Sequence, residues 1–143
     1  MISIRESITT AKPREEAFAY VADFTTVAEW DPGIAGSERT GGDGGVGTTY
    51  RVVATFRGRE VPMTYEVMEY DRPERIVLRG EGAAVHAVDT IEFSVHDGGT
   101  RIDYSADFRM KGLLRFAEPF IGGMFRDLGR KAITGLEQSL QGS

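Results

Sequence analysis

The chain has 143 residues with a formal charge of −5, which predicts one domain, residues 1–143, large enough to bury a sizeable core. Apolar residues make up 41% and charged residues 27%, too apolar a balance for a disordered chain. An acidic chain lacks the concentrated basic surface that phosphate neutralisation needs, so no nucleic-acid partner is expected. Cysteine is absent, which excludes disulfides, thiol catalysis and zinc–thiolate sites and fits a reducing, cytoplasmic setting.

The first ten residues alternate and carry Arg5 and Glu6 early, unlike an apolar leader. No apolar run approaches the ~20 residues that span a bilayer, so no stable membrane insertion is expected. Residues 2–9 read as a half-buried strand through Ile2, Ile4 and Ile8. Pro13 stands where a first helical turn begins, and Glu15 and Glu16 suit the positive end of that helix. Residues 24–30 read as a second short helix that ends before Asp31-Pro32, because proline pushes its predecessor out of the α region. The glycine-rich stretch 41–47 lacks the Gly-Lys-Ser/Thr of a P-loop and the context of a dinucleotide fingerprint, and reads as a turn.

From Thr48 to Met110 strand follows strand. Tyr50, Val52, Ala54 and Phe56 share one face; Val61, Met63, Tyr65 and Val67 share the next. Ile76 and Leu78 mark a short strand, and residues 84–96 a long one ending in the hairpin signal Asp97-Gly98-Gly99. In the last strand Ile102, Tyr104, Ala106 and Phe108 alternate with polar residues. After Gly112 the period changes. Leu113, Leu114, Ala117, Ile121, Met124, Leu128, Ala132, Leu136 and Leu140 recur at helical steps, predicting mostly one helix over 113–140.

This α+β order implies a curved seven-stranded antiparallel sheet wrapped around one long C-terminal helix, with two short helices after strand 1. The order, with Ala11-Lys-Pro-Arg-Glu-Glu-Ala-Phe, Glu29-Trp30-Asp31-Pro32, Val46-Gly47-Thr48, Tyr65-Glu66-Val67, Asp71-Arg-Pro-Glu-Arg-Ile and Gly99-Thr100-Arg101-Ile102, resembles the START-like, helix-grip (SRPBCC) superfamily, and within it the polyketide cyclase/dehydrase group. The resemblance covers essentially the whole chain. It implies an internal cavity between sheet and helix that takes a small hydrophobic molecule such as a lipid, quinone or polyketide. Fold alone does not choose among these.

The candidate wall is Trp30, Tyr50, Met63, Tyr65, Tyr104, Phe108, Phe116, Phe120 and Met124, residue types that serve pockets and cores alike. The candidate acid/base groups are Asp89 and His86. Parity puts Asp89 with Ile91 and Phe93 on the inner face and His86 outside, unless a bulge intervenes. Tyrosines there suit an enolate oxygen in a cyclisation or dehydration, and equally suit passive binding. His96 belongs to a hairpin end, and two histidines so placed make no metal centre; no cofactor is expected. The end of the chain is basic, with Arg109, Lys111, Arg115, Arg126, Arg130 and Lys131 against Glu118 and Asp127. That is an ordinary solvated helix face, or a mouth that attracts an acidic head group or an anionic membrane surface. The expected state is a monomer or homodimer.

Overall fold

The computed structural model describes residues 1–141. Strand β1 (Ile2–Thr10) leads into α1 (Arg14–Ala22), a 3-10 turn (Phe24–Thr26) and α2 (Val27–Trp30). Strands β2 (Ile34–Gly41), β3 (Thr49–Phe56), β4 (Arg59–Asp71), β5 (Arg75–Gly82), β6 (Val85–His96) and β7 (Gly99–Met110) follow, then a 3-10 segment (Gly112–Ala117) and α3 (Glu118–Gln141). The seven strands form one sheet in the order β1-β7-β6-β5-β4-β3-β2, with every pairing antiparallel. The sequence pattern therefore gives the right architecture.

Three local differences have physical causes. The sequence pattern does not single out β2, because IAGSERTG does not alternate and most of it is exposed or half-buried. The residues after Gly112 open as 3-10 and become α-helical only at Glu118, with Pro119 in the first turn, where its missing N–H leaves no bond unmade. The segment 24–30 divides into a 3-10 turn and one α-helical turn, and Asp23 caps the former by accepting from the Thr25 backbone N–H at 3.2 Å. The β6–β7 hairpin turns through Asp97 and Gly98, both at positive φ (47° and 79°), as a two-residue primed turn requires.

The core fills one end of the concave side. Phe18 of α1 meets Tyr70 and Phe93 edge-on, with ring centroids 5.3 and 5.1 Å apart, and Leu136 and Leu140 of α3 are buried in the same core. Close approach of α3 depends on two of its glycines. A Cβ at Gly129 would stand 2.7 Å from Ile4 of β1, and one at Gly135 would stand 1.9 Å from the Trp30 carbonyl oxygen. The second neighbour is backbone and cannot rotate away. Gly135→Ala is predicted to lower stability by about 1–3 kcal/mol despite alanine's better helix propensity, because overpacking forces the helix off its neighbour. Urea unfolding checks this; an unchanged or raised midpoint would contradict it.

Candidate functional site

Beyond this packed end, sheet and helix diverge around a cavity of about 430 Å³. That volume lies within the range of small-molecule sites. Small residues on the sheet make room for the large side chains beside them. Register aligns Tyr65 with Gly80, Gly80 with Ala87, and Ala87 with Phe108 across four strands. The Tyr65 ring lies over Gly80, where a Cβ would meet it at 2.6 Å. On the helix side Ile121, Phe125, Leu128, Gly129, Ala132 and Ile133 close the space. Phe125 packs against Phe108 and Phe56, with centroids 5.1 and 5.8 Å apart, and the wall there reaches exposed Arg57 and Leu114.

Charged groups in this wall are few, and all but Arg57 are acidic. Strand β6 pairs with β5 and β7 without a register shift, so no bulge reverses its faces. Asp89 points inward, 5% exposed, beside the cross-strand partners Leu78 and Ala106. The Tyr104 hydroxyl, on the diagonal position of β7, donates to Asp89 Oδ2. Asp89 Oδ1 and Trp30 Nε1 are buried and have no hydrogen-bond partner among the described residues. Each such orphan costs about 1–3 kcal/mol unless a ligand satisfies it. Burial pushes the Asp89 carboxyl up to about 7; the Tyr104 hydrogen bond works against that, and Asp31 adds to it. Burial, and then the Asp89 charge, raises the Tyr104 hydroxyl well above its ordinary value, and Tyr65 likewise.

The structure brings together Trp30, Met63, Tyr65, Asp89, Tyr104 and Phe108 in one wall. It separates the other sequence candidates. His86 faces outward on the convex side, paired with Glu81, whose other oxygen accepts from Lys111 Nζ at 2.9 Å. It is therefore removed from the acid/base role. Tyr50 is 1% exposed, packed edge-on against Phe24 within the core, and is not part of the wall. Phe116 and Phe120 are 63% and 87% exposed, and Met124 also lies off the wall. The helical stripe through 117, 121, 125 and 128 faces the cavity instead, so neighbours about one step round the helix point away from it.

Two acidic wall residues are missed by sequence reasoning. Glu6 shares the inner parity of Ile2, Ile4 and Ile8, a signal that could have found it, and pairs across β1–β7 with Tyr104. Asp31 leaves α2 in extended conformation before Pro32, and its Oδ1 accepts from the Gly33 backbone N–H at 2.8 Å. Burial raises its carboxyl to about 6. Only the fold brings Asp31 to Asp89. A second, outer depression of about 730 Å³ shares Trp30, Asp31 and Ile34 with the cavity, but its other lining includes the polar helix residues Arg130, Lys131 and Gln138. The internal cavity is the better site, because its wall is apolar and its polar groups converge.

A carboxyl whose folded pKa lies above its unfolded value favours the protonated fold. Between about pH 4 and pH 7 the unfolded chain releases the Asp89 proton and the folded chain keeps it, so stability falls as pH rises through that window. Asp31 acts in the same direction up to about pH 6. Asp89→Asn should therefore gain stability relative to the parent as pH rises from about 4, levelling off above about 7. Urea midpoints measured along a pH series check this; a constant difference would refute it.

A family profile described as polyketide cyclase / dehydrase and lipid transport matches residues 1–141. No curated protein sequence matches the chain. Among solved structures, TTHA0849 from Thermus thermophilus is similar at TM-score 0.82 and 18% identity, over 96% of each chain. The Zhui aromatase/cyclase from Streptomyces sp. R1128 is similar at TM-score 0.82 and 15% identity, over 96% of this chain and 92% of that one. A START superfamily protein from Mycobacterium smegmatis matches at TM-score 0.75 and 16% identity, over 99% and 96%. These likenesses show the START-like helix-grip fold.

Proposed function

We propose, for a chain that belongs to the polyketide cyclase/dehydrase and lipid transport family, that the internal cavity binds a small hydrophobic or aromatic molecule, of lipid, quinone or polyketide type. The observation that carries this reading is an apolar cavity with two orphaned polar atoms, Asp89 Oδ1 and Trp30 Nε1, on residues of its wall. A ligand with a hydroxyl or carbonyl group satisfies them while its apolar body fills the remainder. The wall carries Glu6, Asp31 and Asp89 against Arg57 alone. Its charge therefore disfavours a free carboxylate and favours a neutral head group.

The neutral dye N-phenyl-1-naphthylamine should bind and quench Trp30, the single tryptophan. A long-chain alcohol should displace it at concentrations about tenfold below those of the matching fatty acid at neutral pH. Ala132→Phe, which fills the cavity from the helix side, should abolish dye binding while the protein stays folded by circular dichroism. Binding unchanged by that substitution, or a preference for the carboxylate, would refute the reading.

The Asp89–Tyr104 pair supports a second reading, an acid/base site of cyclase or dehydratase type. An Asp89 carboxyl near pKa 7 exchanges protons at working pH, and its Oδ1 is free to take one from a carbon next to a ligand carbonyl. In that reading the Tyr104 hydroxyl orients the base, because its hydrogen bond to Oδ2 leaves Oδ1 as the oxygen that takes the proton. Asp89→Asn then abolishes turnover of a poly-β-ketone thioester and leaves its affinity within about threefold. In a carrier the same substitution alters affinity modestly and there is no turnover to lose.

A further inference from the structure

Eight large hydrophobic side chains are exposed among the described residues, and five of them gather at one place. Leu113, Leu114 and Phe116 lie on the 3-10 segment joining β7 to α3 and Phe120 in the first turn of α3, at 85%, 48%, 63% and 87% exposure. Met1, 69% exposed, is tied to the same segment by its ammonium, which donates to Glu118 Oε1 at 2.5 Å. A clustered apolar surface of this kind marks an interaction site, unlike scattered single residues.

The segment is apolar on two sides. Leu114, Ala117 and Ile121 line the cavity, at steps of three and four. Leu113, Phe116 and Phe120 repeat the same steps one position earlier and are exposed. The first stripe is explained by the cavity. The second has no such use, because neither phenylalanine belongs to the cavity wall and a polar substitution at either would leave that wall untouched.

Charge identifies the occupant. Over residues 109–126 the chain carries Arg109, Lys111, Arg115 and Arg126 against Glu118 alone. Glu118 is already matched by the N-terminal ammonium and Lys111 by Glu81, so Arg109, Arg115 and Arg126 carry the excess. The Arg115 guanidinium lies over the Phe116 ring, 5.0 Å from its centroid, so cation and apolar anchor sit side by side. This local excess opposes the −5 of the whole chain. A second copy of the same face would bring like charges together, whereas anionic lipid head groups complement them and the acyl region takes the phenylalanines.

We propose that the 112–120 segment, with Met1 and Arg115, docks reversibly on an anionic membrane surface. The docked face is the outer cover of the cavity, so on the ligand reading above a lipid-soluble molecule passes between bilayer and cavity beneath it. No helix of the described chain is long and apolar enough to cross a membrane, and docking is peripheral.

Sedimentation with equimolar phosphatidylglycerol–phosphatidylcholine vesicles tests this. The protein should partition onto them at least about tenfold more strongly than onto pure phosphatidylcholine. Raising salt from about 0.1 to about 0.5 M should weaken partitioning severalfold. The double variant Phe116→Ser/Phe120→Ser should lose about tenfold, and Arg115→Glu severalfold, while N-phenyl-1-naphthylamine binding in vesicle-free solution stays within about twofold of the parent. Partitioning without dye binding would sink the ligand reading and leave the docking surface standing. Dye binding with no vesicle partitioning, equal partitioning by the double variant, or a solution dimer that the double variant dissociates would overturn the docking proposal.

Discussion

One helix has to cover the concave face of seven strands. A 24-residue helix is about 36 Å long and about 10 Å wide. Seven strands about 4.8 Å apart span roughly 29 Å. The helix therefore covers about a third of the sheet's width, and curvature together with α1 and α2 must close the rest. Closure is complete at the end where Phe18, Phe93, Leu136 and Leu140 are buried. It fails at the other end, where the sheet offers the small side chains of Ala54, Ala84 and Ala106 and leaves space unfilled. The cavity follows from that mismatch between the area of the sheet and the bulk of the side chains on it.

An apolar cavity is a poor place for a carboxyl, and Asp89 is among the few buried polar residues. A well-packed leucine there would stabilise the fold more. Its raised pKa, the Tyr104 hydroxyl beside it, and the orphaned Oδ1 and Trp30 Nε1 mark a place where stability has been given up. Asp31 belongs to the same field, since its charge makes ionisation of Asp89 harder. Binding and proton transfer both draw on this arrangement. What separates them is whether a ligand carbon reaches Oδ1.

The fold is legible in the sequence because it is written in periods that change cleanly. Alternation through Ile102–Phe108 gives the strand, and three- and four-residue steps after Gly112 give the helix, whose first turns are 3-10. Asp89 is legible by the same parity, since Ile91 and Phe93 fix which face of β6 is inside. The helix wall is not. Apolar residues occur all round residues 113–125, so a stripe facing the cavity and a stripe facing outward cannot be told apart by period alone. Phe116 and Phe120 are thus expected inside and stand outside. Asp31 is hidden for another reason: it reaches Asp89 from 58 residues away in sequence, and only closure of the sheet over α2 brings them together. Tyr50 shows the limit of parity, which places it on the inner face but does not say that Phe24 covers it there.

The most direct test is a carbon-13 NMR titration of the Asp89 side-chain carboxyl, with and without a saturating long-chain alcohol. A cavity that buries and isolates this group predicts a midpoint near 7 in the free protein, and a change in that midpoint when the alcohol fills the cavity and hydrogen-bonds to Oδ1. A midpoint in the ordinary range near about 4, indifferent to the alcohol, would show a solvated carboxylate and contradict the central claim.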